Sequence, residues 1–494
     1  MGAPPTAASF NKKDLIHYAI AIVIGILIYT LGQPGTELTE YGIRILAITV
    51  PTLYLWLTTS DLLWTSLLFL AATVMTRILP PNAVWEATLG HFSVILVTVF
   101  VMLDGSLNET GAIKKVANWF ITRKFVQGRP YAFMAMFFGA NLVVGLFMQN
   151  LALAVMYLAL TLKLCENLGL KKSDSLFKVL LLGTLWGNGV LSLASPIAKF
   201  FPNWIIGWVQ SNLGFTISYA QWFAVGIPFT VLMFLLLMLV VRICNPDTSA
   251  LMKFNVEEYK KENDPPLGKR GKIALIGFVC LLAVILLPDL IIILGAQGGL
   301  YTVMRYIIGL SATVPAMILI CVLCLIRAEG KPVMDLKAAV GNVSLAFIIF
   351  MSAAVFLGTM LGFGDGGIGP WLGTIIAPVV DNMSPFMIVV VMMTLAIILS
   401  QFASNIVVVV LFLTIGAPLF MDGGGIGPVA FAILVGFISG MSCATPPSVI
   451  TAALYYGPGH IVAKDVLKQN LIFLVFALIG VIAITPVVVG IIGA

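Results

Sequence analysis

Charge is scarce in this chain. Only 10% of its 494 residues are Asp, Glu, Lys or Arg, against about 25% in soluble domains. Histidine is scarcer still: His17, His91 and His460 lie far apart, without the spacing of a metal-ligand pair. The six cysteines (Cys165, Cys244, Cys280, Cys321, Cys324 and Cys443) lie mostly in or beside apolar runs, and their placement implies neither a disulfide nor a metal. Cys321 and Cys324 have redox spacing, but no polar neighbour in ILICVLCLI activates a thiolate. No cofactor-binding motif is present. The glycine-rich GFGDGGIG at 362–369 is not followed by Lys-Ser/Thr and lies in no strand–helix context, so it fails as a phosphate loop.

What the chain has is hydrocarbon. It is 60% hydrophobic with a mean hydropathy of +1.08, and apolar runs of membrane-spanning length recur throughout. It reads as an all-α polytopic membrane protein with no room for a large soluble domain. The N-terminal NKKDLIHYAIAIVIGILIYTLG lacks a small-residue cleavage site and is read as a first span, not a signal peptide. Further spans fall near 41–57, 60–78, 92 onward, 175–213, 222–243, 273–295, 301–326, 342–362, 428–456 and 470–493.

Two apolar stretches, 131–163 and 385–420, are read as re-entrant hairpins. The second arm of the first, Leu151 to Leu162, would be about 18 Å of helix against a hydrocarbon core of about 30 Å. Its flanks, 113–130 and 163–178, carry five and four Lys/Arg. The positive-inside rule puts both in the cytoplasm, so the segment enters and returns. With that choice 23 of the 27 Lys/Arg residues are cytoplasmic, and the net charge of +6 needs no nucleic acid. Arg44, Arg77 and Arg305 fall near outer ends, where their side chains snorkel; Lys199 does not. The flanks of 385–420 carry Asp381 and Asp422 and no base, so this hairpin enters from outside. The expectation is eleven transmembrane helices plus two hairpins in the plasma (inner) membrane, with the N-terminus cytoplasmic and the C-terminus extracellular.

The halves repeat. After an N-terminal helix within 1–40, residues 41–243 hold scaffold helices, hairpin 131–163 and a broken helix 175–213. A charged linker, 244–272, follows. Residues 273–494 hold hairpin 385–420 and broken helix 428–456. MQNLALAVMYLAL (148–160) matches ASNIVVVVLFLTI (403–415), and ASPIAKFFPN with Pro196 matches CATPPSVITA with Pro446. An odd number of spans per half inverts the second copy, and inverted repeats with interrupted helices are a transporter signature.

Each interruption carries the residues that start a helix. Asn150, and Ser404 or Asn405, can cap helices beginning at Leu151 and Ile406. Ser195 before Pro196, and Thr445 before Pro446, read as a cap followed by proline at the first helical position. Four helix N-termini meeting at the midplane would hold an anion with two ends, which carboxylates fit.

On these residues the chain resembles the divalent anion:sodium symporter (DASS) family of di- and tricarboxylate transporters, over about residues 15–490. The resemblance is most specific at the two hairpin tips, where the family carries Ser-Asn-Thr, and at the later Ser-Pro and Thr-Pro breaks. ATPPSVI followed by GPGHIVAKDVLKQN is close to the family's last block. It implies a homodimer, an elevator motion of a transport domain against a scaffold, and C4 to C6 carboxylates of the malate, succinate, 2-oxoglutarate and citrate class as substrates. By position it implies a substrate site at Gln149, Asn150, Ser195, Pro196, Ser404, Asn405, Thr445 and Pro446, each tip and its partner loop clamping a sodium ion in the symporters.

The chain departs from that pattern. Gln149 stands where the family has Ser, and Leu151 and Ile406 where it has Thr, so both sodium positions lose hydroxyl ligands and no metal site is expected. Pro447-Ser448 replaces Pro-Asn. Lys199 lies three residues after Pro196. An intramembrane lysine is a functional candidate: either its ammonium supplies the charge that sodium supplies elsewhere, or it snorkels to an aqueous vestibule. The expected function is sodium-independent dicarboxylate exchange, with sodium-coupled symport as the alternative. Asp104 either carries a coupling proton or ends a helix near the cytoplasm. An intramembrane hydrolase is a distant alternative, because Asp365 in a Gly-x-Gly-Asp pattern would need a facing Asp usually preceded by Tyr, and Asp104 follows Leu103.

Overall fold

The computed structural model describes residues 12–492, apart from 59–61, 342, 362–363, 381, 404, 422–424 and 446–447. The fold is all-helical. Among the described residues the only strands are the two-residue pair Arg327–Ala328 and Lys331–Pro332. Among the described residues, four helices are long and apolar enough to cross a bilayer alone: Phe92–Glu109, Tyr219–Cys244, Lys269–Ile293 and Ala463–Ile492. Counting two bent pairs as one span each gives up to six.

The chain divides into two units. The first comprises Met1–His91 and Leu345–Asp381. Within it, Lys12–Leu31 packs along Glu40–Thr58, and Leu345–Leu361 along Leu62–Met75. Trp56 sits edge-on to Phe350 at 5.1 Å and to Phe69 at 6.3 Å between centroids. Lipid tails are as apolar as these rings, so association here comes from packing and close backbone approach rather than from a hydrophobic drive. At Gly42, a side chain would overlap the carbonyl of Gly366.

The second unit comprises Phe92–Ser344 and Asn382–Ala494 and contains both stretches expected as hairpins, 131–163 and 385–420, and both helix interruptions. At its centre lie Ser175–Val190 and Pro428–Ile438, buried on nearly every side. Their sequences are apolar all round apart from a few hydroxyls and amides, which is the composition of a fully enclosed helix. Tyr219–Cys244 and Ala463–Ile492 pack against each other and around this pair, with Phe229 stacked on Phe437 at 4.0 Å.

Two expectations change, and the linker proves to carry structure of its own. The stretch 301–326 is two helices, Gly298–Gly309 and Thr313–Leu325, bent by 78°; Ser311, at φ 58, is in the left-handed region and turns the chain between them. The run from 92 ends at Glu109, and the basic residues Lys114 and Lys115 lie on a separate helix, Ala112–Ile121, entered through Gly111 at φ 72. The charged linker is folded: it holds Ser249–Met252 and Val256–Asn263, the latter capped by Asn255 Oδ1, which accepts from the N–H of Glu257 and Glu258. Phe254 lies 4.8 Å from Phe133 of the first hairpin, and Asp264 pairs with Lys115 at 2.9 Å.

Candidate functional site

Breaking a helix inside hydrocarbon strands its last carbonyls, and each must find a donor. In the first broken helix, Ser175–Val190 ends in GNGV and resumes at Phe200. The Lys199 ammonium folds back and donates to Asn188 O at 3.3 Å and to Gly189 O. Ser192 Oγ also donates to Asn188 O, at 3.1 Å, and Trp222 Nε1 to Leu193 O, at 2.9 Å. Ser195 Oγ accepts from the N–H groups of Ile197 and Ala198. Lys199 is 2% exposed and makes no ion pair among the described residues. The ammonium lies against carbonyls at the negative end of a helix dipole, without a counter-ion among the described residues.

The second break is closed by amides instead of a charge. Pro428–Ile438 ends, and Ser439 O accepts from Asn405 Nδ2 at 2.6 Å. Asn405 Oδ1 takes the hydroxyl of Ser442. Gln401, at the tip of the second hairpin, donates through Nε2 to Met441 O at 3.0 Å. Its Oε1 accepts from the N–H of Cys443 at 3.1 Å and of Ala444 at 3.0 Å. Thr445 Oγ1 returns a bond to the Gln401 carbonyl. A relay runs on from this break: Tyr456 OH donates to Cys443 O, Asn470 Nδ2 to Tyr456 OH, and Trp186 Nε1 to Asn470 Oδ1, at 2.8, 2.9 and 2.8 Å.

The two breaks meet. Gly189 and Gly440 approach so closely that a Cβ on either would overlap the other's carbonyl. Gly145 of the first hairpin rests on Ser192 of the first break. Hairpin arm, first break, second break and second tip therefore form one contiguous polar seam. The cavity lined by Gln33, Glu37, Trp371 and Thr374 lies in the other unit and has no cation to offer a carboxylate.

The first tip is held differently. Its helices are Pro130–Gly145 and Asn150–Asn167, and the Gln149 N–H donates to Asp104 Oδ2 at 2.6 Å. Asp104 is 3% exposed and sits on Phe92–Glu109. Gln149 Nε2 and Asn150 Oδ1 are buried without a hydrogen-bond partner among the described residues, as are both side-chain atoms of Asn188.

The capping roles read from sequence are corrected. Ser195 and Pro196 do not start a helix; they form a turn, and the helix begins at Phe200 with Lys199 in the cap position. The next α-helix after Thr445 is Ile450–Tyr456, and the start expected at Pro446 lies outside the described residues. Asn405 is the first residue of its helix and spends its side chain on the second break. Asn150 is likewise the first helical residue, and Gln149, in the cap position, makes no side-chain cap. The arm expected to be 12 residues long is an 18-residue helix, because it continues through Lys163 and Glu166, which pair at 3.0 Å. The Leu151 side chain is 48% exposed. Ser404 and Pro446 lie outside the described residues, as does the side chain of Ile406. Gln401, Asn188 and the relay through Asn470 and Tyr456 were not singled out from sequence. An amide inside the apolar run LSQFASN was the available signal for Gln401.

Over 98% of its length this chain is 24% identical to a protein named sodium-dependent dicarboxylate transporter SdcS from Staphylococcus saprophyticus subsp. saprophyticus, covering 93% of that protein. Its fold is similar to that of the YdaH transporter of Alcanivorax borkumensis, with a TM-score of 0.57 at 13% identity, over 97% of this chain and 98% of that one. The citrate transporter family CitMHS matches residues 52–436. The motifs at the hairpin tips, the buried polar seam and this match agree: the chain is a membrane transporter, not an enzyme, and belongs to the CitMHS citrate transporter family.

Proposed function

We propose that this protein exchanges C4 to C6 di- and tricarboxylates across the plasma membrane without sodium, moving a transport domain as an elevator within a homodimer. In this reading eleven helices span, segments 131–163 and 385–420 are re-entrant hairpins, and the two halves are inverted copies. The substrate sits at Gln149, Asn150, Ser195, Pro196, Lys199, Ser404, Asn405, Thr445 and Pro446.

One observation carries the sodium-independent part. The Lys199 ammonium is bonded to the carbonyls of Asn188 and Gly189, and carbonyl oxygens of a broken helix are the ligands a bound sodium ion would use. A covalently attached cation cannot leave with the substrate. The empty carrier would keep a buried ammonium without a counter-ion, at a cost of several kcal/mol, and a bound carboxylate supplies that counter-ion. Strict exchange follows, because only the loaded carrier crosses easily.

The name of the Staphylococcus relative favours sodium-coupled symport as the second reading. Uptake of labelled malate or citrate into proteoliposomes separates the two. Exchange predicts equal uptake with external sodium or choline when a dicarboxylate is inside, and no uptake into empty vesicles. Uptake that requires sodium and fills empty vesicles would return the symporter.

A further inference from the structure

The polar seam is unevenly satisfied. On the second side, Gln401, Asn405, Ser439, Ser442 and Thr445 each have a hydrogen-bond partner. Spare capacity lies on the first side, where Asn188 has both side-chain atoms unpaired among the described residues. Asn188 is fully buried, in the last turn of Ser175–Val190. Its backbone carbonyl takes Lys199 and Ser192. Its side-chain Oδ1 and Nδ2 both lack a partner among the described residues. Exchanging the two atoms by an amide flip changes nothing, since neither is bonded. A buried amide left wholly unpaired is rare and costly, and calls for an explanation.

The sense of the unpaired atoms says what would complete them. Gln149 Nε2 and Asn188 Nδ2 are donors; Asn150 Oδ1 and Asn188 Oδ1 are acceptors. An ionised carboxylate only accepts. It can take Asn188 Nδ2 and the Lys199 ammonium, but it leaves Asn188 Oδ1 unmet. The missing partner has to bring an O–H. A hydroxyl donates and accepts at one atom, which matches the two adjacent, opposite atoms of a primary amide. The carbonyl of the same residue holds the Lys199 ammonium, so a carboxylate beside the ammonium and a hydroxyl on the neighbouring carbon would reach both groups.

Resting on the carboxylate-carrier reading above, we propose that Asn188 is a specificity-determining residue that reads a substrate hydroxyl. The site then prefers hydroxylated di- and tricarboxylates over their unhydroxylated counterparts. A site built to hydrogen-bond a hydroxyl rejects the analogue lacking it, because its own buried groups are left unpaired.

The experiment compares L-malate with succinate, which differ by that one hydroxyl, in counterflow by proteoliposomes. The wild type is expected to favour malate by at least about tenfold in Vmax/KM. Asn188→Leu, similar in size but without polar atoms, brings the malate-to-succinate ratio close to one. A second measurement needs no variant: at equal concentration, malate raises the melting temperature of the detergent-solubilised wild type more than succinate does. Equal handling of the two acids by the wild type, in transport and melting, overturns the role of Asn188 while leaving the carrier reading intact. So does an Asn188→Leu protein that folds and keeps the wild-type ratio. Failure to transport any carboxylate overturns both.

Discussion

Gly189 and Gly440 lie backbone to backbone, so that neither can carry a side chain without overlapping the other's carbonyl oxygen. They stand six residues before Ser195 and five before Thr445, at corresponding places in the two breaks. Without a hydrophobic drive between helices in lipid, such close approach is what allows two buried helices to pack and their polar turns to share one seam.

Gly189→Ala and Gly440→Ala each force the two broken helices apart. Overpacking of this kind costs about 1–3 kcal/mol. Each variant is expected to melt lower in detergent and to lose most exchange, while Gly139→Ala, whose Cβ would meet only ordinary contacts with Phe234, melts like the wild type. Equal melting of all three would show that the approach is not required.

Gln401 joins the second hairpin to three backbone groups of the second break. In Gln401→Leu those groups remain buried and lose their partner. At about 1–3 kcal/mol for each buried group left unpaired, the expected destabilisation is about 3 kcal/mol or more, with transport reduced at least tenfold. Thermal unfolding and carboxylate counterflow measure both.

Lys199→Met removes the fixed cation and leaves the carbonyls of Asn188 and Gly189 without its donor. If the ammonium enforces exchange, its loss lets the empty carrier return. The expected sign is a gain: uptake into unloaded proteoliposomes appears, while exchange slows. Exchange that stays strict in Lys199→Met would remove the ammonium from the mechanism.

The interruptions were legible because amides, hydroxyls, glycine and proline are expensive in hydrocarbon and stand out against it. Asn150 and Asn405 each open a described helix, and Ser195-Pro196 and Thr445 each lie in the gap between two. What each residue does was not legible. Capping rules of water-exposed helices assume that a side chain serves the N–H groups just after it. Here the stranded carbonyls of another segment compete for it, and Asn405 and Lys199 both serve those. Ser195 does follow the local rule, accepting from Ile197 and Ala198, but the chain turns there instead of starting a helix. Gln401 stayed hidden because its partners lie some forty residues away. The bend between Gly309 and Thr313 turns at Ser311, where Gly309, Ser311, Thr313 and Pro315 interrupt the apolar run; the interruption is short, and the stretch reads as one span.

The segment between the two halves looks from its composition like the place to splice in a reporter or an affinity handle. Its Phe254 is wedged against Phe133, and Asp264 is clasped by Lys115. It is a brace seated on Pro130–Gly145 and on Ala112–Ile121, so a foreign domain inserted there would pry at both helices.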